Sequence, residues 1–399
     1  MSAGANTKAS LDGLFKDVYE GKLDSLIPDF GILTKKIAFS KSSKTGRDFV
    51  KSVKLTNEQG FTYGAGLQTL SGIISSDVDD AKVRGNSLTL QTGFSYDAAA
   101  NMVSSQGAFI DATKFKYMSM MEATTLRLEH QMLYGETGLG TVDSVSTTTV
   151  TISDASWAVG LWAGQEGAAI DFYTGNTLDT TSTLVSIDAA AKTLTFADDL
   201  AAAGVAAADD LWFKGAKGNE MTGLRTIVSN TGSLFGIDGS AYSLWAGNTA
   251  AVGGNLTLKK IYDGLVPAIG KGLMEDIEVY VSPATFAVQA NDEASLRRYN
   301  TATKKAETGH QSIEYWGANG KISVVVHPLV REGEAMAFPI NKCSRIGATD
   351  ITFNTPGKGD EMFQQLANST GYECRLYSEQ AIFMPCPAKG TLFTGITNS

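Results

Sequence analysis

Between Gly107 and Gly135 the chain runs from Ala108 to Tyr134 without a glycine or a proline, in a sequence of 399 residues that holds 42 glycines. Within this stretch Phe115, Met118, Met121, Leu128 and Met132 recur at helical spacing, with Thr125 filling the gap. Lys114, Glu122, Arg127 and Glu129 are free to face the other way, so the pattern predicts an amphipathic helix. Asp111 suits the N-cap, and Gly135 stands where a left-handed C-cap residue belongs. As one piece the helix spans roughly 40 Å, two to three times the usual length. A long single helix set among β-type sequence is a strut. Struts suit proteins that hold a shape or tile.

Charge divides the chain. Thr141 to Phe213 carries ten acids and one base, Lys192, which accounts for the whole net charge of −9; the remainder is neutral. A boundary that sharp predicts a separate module. Its pattern is β. Val150 and Ile152 alternate with Thr149 and Thr151. Val185 and Ile187 lead into a turn at Asp188–Lys192, and Leu194 and Phe196 follow it. Ile170–Phe172 and Leu211–Phe213 read as further strands. The expectation is a small barrel or sandwich inserted between Gly140 and Gly215.

Ahead of the long helix, Phe49–Leu55 and Leu88–Phe94 read as strands joined by an excursion, Thr56 to Asn86. An excursion of that length is functional or packed on a partner. The approach is basic: Lys35, Lys36, Lys41, Lys44, Arg47, Lys51 and Lys54 stand against Asp48 alone. The bland reading is a solvated face. The sharper one is an arm whose Lys41, Lys44, Arg47, Lys51 and Lys54 pair with acids of a neighbouring subunit. After the module, Leu258, Ile261, Leu265 and Ile269 mark a helix face. Ile277–Val281 is a strand, and Ser282-Pro283 caps and opens a helix towards Asn291. Ile322–Val326, Ala335–Pro339, Arg345–Gly347, Cys374–Phe383 and Thr391–Ile396 read as strands, and Thr355-Pro356-Gly357 as a turn.

No constellation for catalysis emerges. His130, His310 and His327 are the three histidines, each expected in an ordinary structural or surface role. There is no HExxH, no zinc spacing and no GxSxG. Gly135 to Gly140 is glycine-rich but follows a helix, so it is a helix stop rather than a phosphate loop. Gly264 to Gly272 has the wrong spacing for one. The acid pairs Asp198-Asp199 and Asp209-Asp210 lack the interleaved ligands of a calcium loop. No metal or cofactor is expected. Cys343, Cys374 and Cys386 are odd in number and read as reduced thiols. Met1 to Ser10 shows no secretory pattern and no stretch approaches 18 apolar residues, so neither export nor a membrane span is expected. The acidic balance argues against a dedicated nucleic-acid binder.

The order of parts — polar arm, extended excursion, long helix ending in glycine, α/β region with strand–Ser282-Pro283–helix, and strand-rich close through Gly390 to Gly395 — resembles the major capsid proteins of tailed double-stranded DNA phages, the Hong Kong 97-type fold. The resemblance covers all but the acidic module and implies an α+β fold. Residues 1–34 would be the N-terminal arm, 35–95 the extended loop and its strands, and 96–140 the peripheral domain with its spine helix. Residues 141–214 would be the inserted β domain, 215–373 the axial domain with a tip loop at Ile351–Glu361, and 374–399 the return to the peripheral domain.

By that resemblance the chain is no enzyme. It is a shell protein that forms hexamers and pentamers around double-stranded DNA, in a virion assembled in the host cytoplasm. Its partners would be itself, a portal, a separate scaffolding protein and decoration proteins. An encapsulin-like compartment shell is the alternative with the same fold. A secreted β-rich adhesin is the alternative from another class.

Overall fold

The computed structural model describes residues 31–41, 48–94, 112–295, 304–305, 311–317, 320–354, 363–365 and 371–398. His310, Lys44, Arg47 and the turn at Thr355-Pro356-Gly357 lie outside the described residues.

A short helix α1 (Ile32–Lys36) leads into strand β1 (Phe39–Lys41), and β2 (Phe49–Lys54) pairs antiparallel with β3 (Val78–Val83). The excursion of the sequence reading therefore contains its own returning strand. Next, β4 (Asn86–Phe94) runs along β21 (Tyr372–Phe383), which also pairs with β19 (Ser344–Thr352) and β20 (Phe363–Gln365). With β1 on β19 this makes a five-stranded sheet.

The long helix α2 is described over Ala112–Tyr134, 23 residues or about 35 Å. Asp111 and the side chain of Phe115 lie outside the described part. Its buried face differs from the expected one. Leu126, Leu128, Met132 and Leu133 are buried, whereas Met118 and Met121 are exposed and Glu129 is fully buried. The second half enters the main core, while the first half packs through Tyr117 and Met120 on a smaller cluster with Cys374 and Leu376 and presents Met118 and Met121 to solvent. The C-cap also differs: Gly135 is not left-handed, and Glu136 takes that conformation at φ 64°. Gly135 is required for another reason, because a Cβ there would collide with the Met221 carbonyl oxygen.

Strands β5 (Gly140–Ser146) and β6 (Thr149–Ile152), helix α3 (Val159–Trp162), and strands β7 (Ala169–Thr174), β8 (Thr177–Asp188), β9 (Thr193–Phe196) and β10 (Asp210–Phe213) form the acidic region. The six strands close into a barrel in the order β10-β5-β6-β9-β8-β7. Val150, Ile152, Ile170, Phe172, Leu184, Leu194 and Phe196 are buried in it. Val185 was expected inside, yet it is exposed; the register shifts between Leu184 and Ser186, and that bulge turns Leu184 inward instead.

The barrel is not a free-standing module. Its apolar residues belong to one continuous core with α2 and the rest of the chain. The docking is close: the Glu332 N–H donates to Trp157 O at 2.9 Å and the Gly333 N–H to Ala155 O at 3.0 Å. Lys192 Nζ spans Asp154 and Glu332 at 2.8 Å each.

Beyond the barrel come α4 (Leu224–Val228), a ribbon of β11 (Ser233–Leu234) and β12 (Ile237–Asp238), β13 (Thr249–Gly254), α5 (Leu258–Gly270), β14 (Ile277–Val281) and α6 (Pro283–Ser295). Ser282 Oγ accepts from the Thr285 N–H at 3.2 Å, the cap its position predicts. Strands β15 (Lys304–Lys305), β16 (Gln311–Gly317), β17 (Gly320–Val326), β18 (Glu334–Phe338) and β22 (Thr391–Ile396) complete a seven-stranded sheet in the order β13-β22-β18-β14-β17-β16-β15. Both faces of its centre are covered. On β18, Ala335 and Ala337 pack towards α5, while Met336 and Phe338 join the core shared with α2. Gly264 serves this packing rather than a phosphate, since a Cβ there would strike the Phe393 ring. The strand pairing cuts across the boundary expected at 373–374: β21 spans it, and β22 belongs to the seven-stranded sheet rather than to that of β21.

Candidate assembly interface

The β2–β3 ribbon and residues 55–77 form an extension whose root is anchored and whose far end is bare. Ala81, Val83 and Leu55 are buried at the root, and the Lys82 N–H donates to Phe235 O at 2.8 Å. Further out the loop holds itself by short-range bonds. The Leu55 N–H reaches Asp77 O at 2.9 Å, the Asp77 N–H reaches Thr56 Oγ1 at 2.7 Å, and the Gln59 N–H reaches Ile74 O at 3.1 Å.

Those bonds shape the loop without covering it. Tyr63, Leu67, Leu70 and Ile73 are each at least 83% exposed, with Phe61 and Ile74 more than half exposed. Scattered apolar residues on a surface are ordinary, but six on one projection are not. Nothing among the described residues buries them. The sequence reading missed their importance because Gly, Ser and Thr separate them and no periodicity links them. The signal was present as a count of large apolar residues between Phe61 and Ile74.

The basic residues fall unevenly. Lys51 and Lys54 are exposed on β2. The side chain of Lys41 lies outside the described residues, as do Lys44 and Arg47. The run is also less isolated than its sequence suggests, because β3 brings Asp79 and Asp80 alongside β2, with Ser52 Oγ donating to Asp80 at 2.7 Å. Arg84 pairs with Asp48 at 3.3 Å at the root. Lys36 is used internally, bonding Glu278 at 2.7 Å beside the Tyr280 ring.

Behind the extension, α2 is tied to its surroundings by buried polar groups. Glu129, read from the sequence as outward-facing, is the centre of one cluster. It accepts from the backbone N–H of Leu33, from the N–H of Thr34 at 3.0 Å and from the Thr34 hydroxyl. His327 completes it: its Nδ1 accepts from the Leu329 N–H at 3.2 Å, so Nε2 carries the proton and donates to Glu129 at 3.0 Å. A carboxylate with this many donors is stable where an unpaired one is not. His130 is buried with no partner on either nitrogen among the described residues. Burial, with Arg331 and Arg127 nearby, pushes its pKa down to about 3. Arg331 donates to Gly138 O at 2.8 Å and holds the end of α2 against the barrel entry. Arg225 grips Glu334 with two nitrogens, at 2.6 and 2.9 Å.

Among the described residues no group of His, Cys, Asp and Glu is arranged to hold a metal. No described helix is long and apolar enough to cross a membrane. The three cysteines are free thiols.

No family model and no curated protein matches the sequence. Solved structures do match the fold along its whole length. The cyanophage A-1(L) capsid protein is 10% identical, with 98% of this chain and 100% of that one covered and a TM-score of 0.56. The capsid of a native GTA particle is 8% identical, with 99% and 100% covered and a TM-score of 0.52. The holo-SrpI encapsulin complex from Synechococcus elongatus PCC 7942 is 8% identical, with 100% and 98% covered and a TM-score of 0.51. The chain has the fold of phage capsid proteins, a fold also used by an encapsulin.

Proposed function

We propose that this chain is the major capsid protein of a tailed double-stranded DNA phage, assembling into hexamers and pentamers that close an icosahedral shell. The observation that carries this reading is the projecting loop with its six uncovered apolar side chains, on a chain whose fold is shared end to end with capsid proteins. A patch on one part of a molecule that fits a different part of its neighbour makes a head-to-tail contact, and such contacts build rings and shells.

In this reading α2 is the spine of the peripheral domain and the β2–β3 extension overlaps the next subunit. The seven-stranded sheet with α5 and α6 is the core of the axial domain. The barrel is an inserted domain on the outer wall. Lys41, Lys44, Arg47, Lys51 and Lys54 pair with acids of a neighbour. DNA is enclosed without sequence-specific contact, and a portal, separate scaffolding and decoration proteins complete the particle. The chain performs no catalysis.

The encapsulin likeness supports a second reading, a compartment shell around protein cargo. Electron microscopy of particles purified from the native source decides between them. Closed shells whose interior is nuclease-protected DNA are expected. Shells filled with protein favour the compartment, and chains that stay monomeric at high concentration refute both.

A further inference from the structure

Where β4, α2 and the barrel root meet, the chain forms a half-open cavity of about 400 Å³. That is within the size range of small-ligand sites. Three observations at its wall point the same way. Arg127 lies against the Phe213 ring, and its only hydrogen bond among the described residues is a long one, 3.4 Å to Gln165. The described residues give it no ion pair within bonding distance. A half-buried guanidinium on an open pocket, with most of its donors unpaired within the described residues, is free to take a charged acceptor from outside the chain. Thr124, 2% exposed, also lines the cavity, and its hydroxyl has no partner. Leu88, Leu90 and Ala123 supply an apolar wall.

We propose that this cavity binds a small organic carboxylate with an apolar body, its carboxylate received by Arg127 and the Thr124 hydroxyl and its body by Leu88 and Leu90. The site does not depend on the shell reading. The other charged groups at the wall set its pH response. Lys214 adds positive charge. Glu220 accepts from the Glu136 N–H at 3.3 Å, and burial raises its pKa to about 7. Below that pH Glu220 is neutral and leaves Arg127 without a counter-ion. Above it, Glu220 ionises and competes with an incoming anion.

The test is calorimetric titration of the unassembled full-length chain with benzoate, its neutral isostere benzamide, and inorganic phosphate, at about pH 6 and about pH 8. Benzoate is expected to bind saturably at the lower pH and more weakly at the higher. Benzamide and phosphate should bind at least about tenfold more weakly, the value of a lost charged hydrogen bond. Arg127→Gln should weaken benzoate by about tenfold or more. Glu220→Gln should strengthen it at the higher pH, a gain that misfolding cannot produce. Equal binding of benzoate and benzamide, or none by either, overturns the proposal. So does an Arg127→Gln effect on assembly alone, since the cation then serves a neighbouring chain.

Discussion

Two buried titratable groups beside the helix end pull stability in opposite directions with pH. Glu220 has its pKa raised to about 7 by burial, so its protonated form suits the fold. Its contribution is full below the unfolded value near 4.5 and is lost as pH rises through 7, about 3 kcal/mol in all. His130 is the reverse. With its pKa lowered to about 3, the neutral ring suits the fold, and stability is lost as pH falls below about 6.5. Between about pH 4.5 and 6.5 one slope cancels the other. Denaturant unfolding of unassembled Glu220→Gln should expose the histidine alone. Stability is then expected to climb by about 1.4 kcal/mol per pH unit across that window, where the parent chain stays level. An equally level variant refutes the pairing. Neither group was legible in the sequence as a buried one. Glu129, Glu220 and His130 look like ordinary surface residues until tertiary contacts supply their partners or exclude water.

At the scale of elements, α2 carries buried and exposed side chains on different faces, and the two should respond differently. Leu128→Ala removes a buried side chain and is expected to cost about 2–5 kcal/mol of subunit stability. Met121→Ala, at an exposed site, should change stability by less than about 0.5 kcal/mol. Thermal melts of unassembled chains separate the cases, and equal losses would show that Met121 is packed as well. The extension makes a complementary prediction. Leu67→Asp with Leu70→Asp should leave the melt unchanged and abolish shell formation in light scattering, because those side chains stand exposed among the described residues. A variant that assembles normally removes the loop from the interface.

The existence of α2 was readable because a long stretch free of glycine and proline admits little else. Its inward face was not, because the apolar spacing runs through Met118 and Met121 whereas Met120, between them, is the methionine that packs on Cys374 and Leu376. In the barrel, Val150, Ile152, Leu194 and Phe196 obeyed simple alternation. Val185 broke it through a bulge that no local pattern announces.

For the whole molecule, charge placement makes two predictions. Single exposed ion pairs are worth at most about 1 kcal/mol, so the Lys41–Lys54 run acts only through repetition around a shell. Replacing Lys41, Lys44 and Lys51 by Glu should therefore weaken assembly at low salt and matter less at high salt, as followed by sedimentation. Assembly that is unaffected at low salt removes these residues from the contact. The barrel's net charge of −9 would repel packed phosphate if it faced inward, since screening is incomplete within roughly 8–10 Å. Antibodies to the barrel should label intact, DNA-filled particles. If they bind only dissociated chains, the barrel faces elsewhere.

The shared core has a consequence for how such a chain is altered, by selection or by design. The ends of the barrel meet where Gly140 stands opposite Leu211, which resembles a tidy excision point. It is not one. Cutting there would bare the main-body surface on which Trp157 and Leu161 now rest, and leave the N–H groups of Glu332 and Gly333 without their acceptors. A replacement domain must bring its own copy of that dock. Foreign peptides fit better in the turn from Ala201 to Gly204, whose four residues are all exposed. The seam drawn by composition is thus not the seam along which the molecule comes apart.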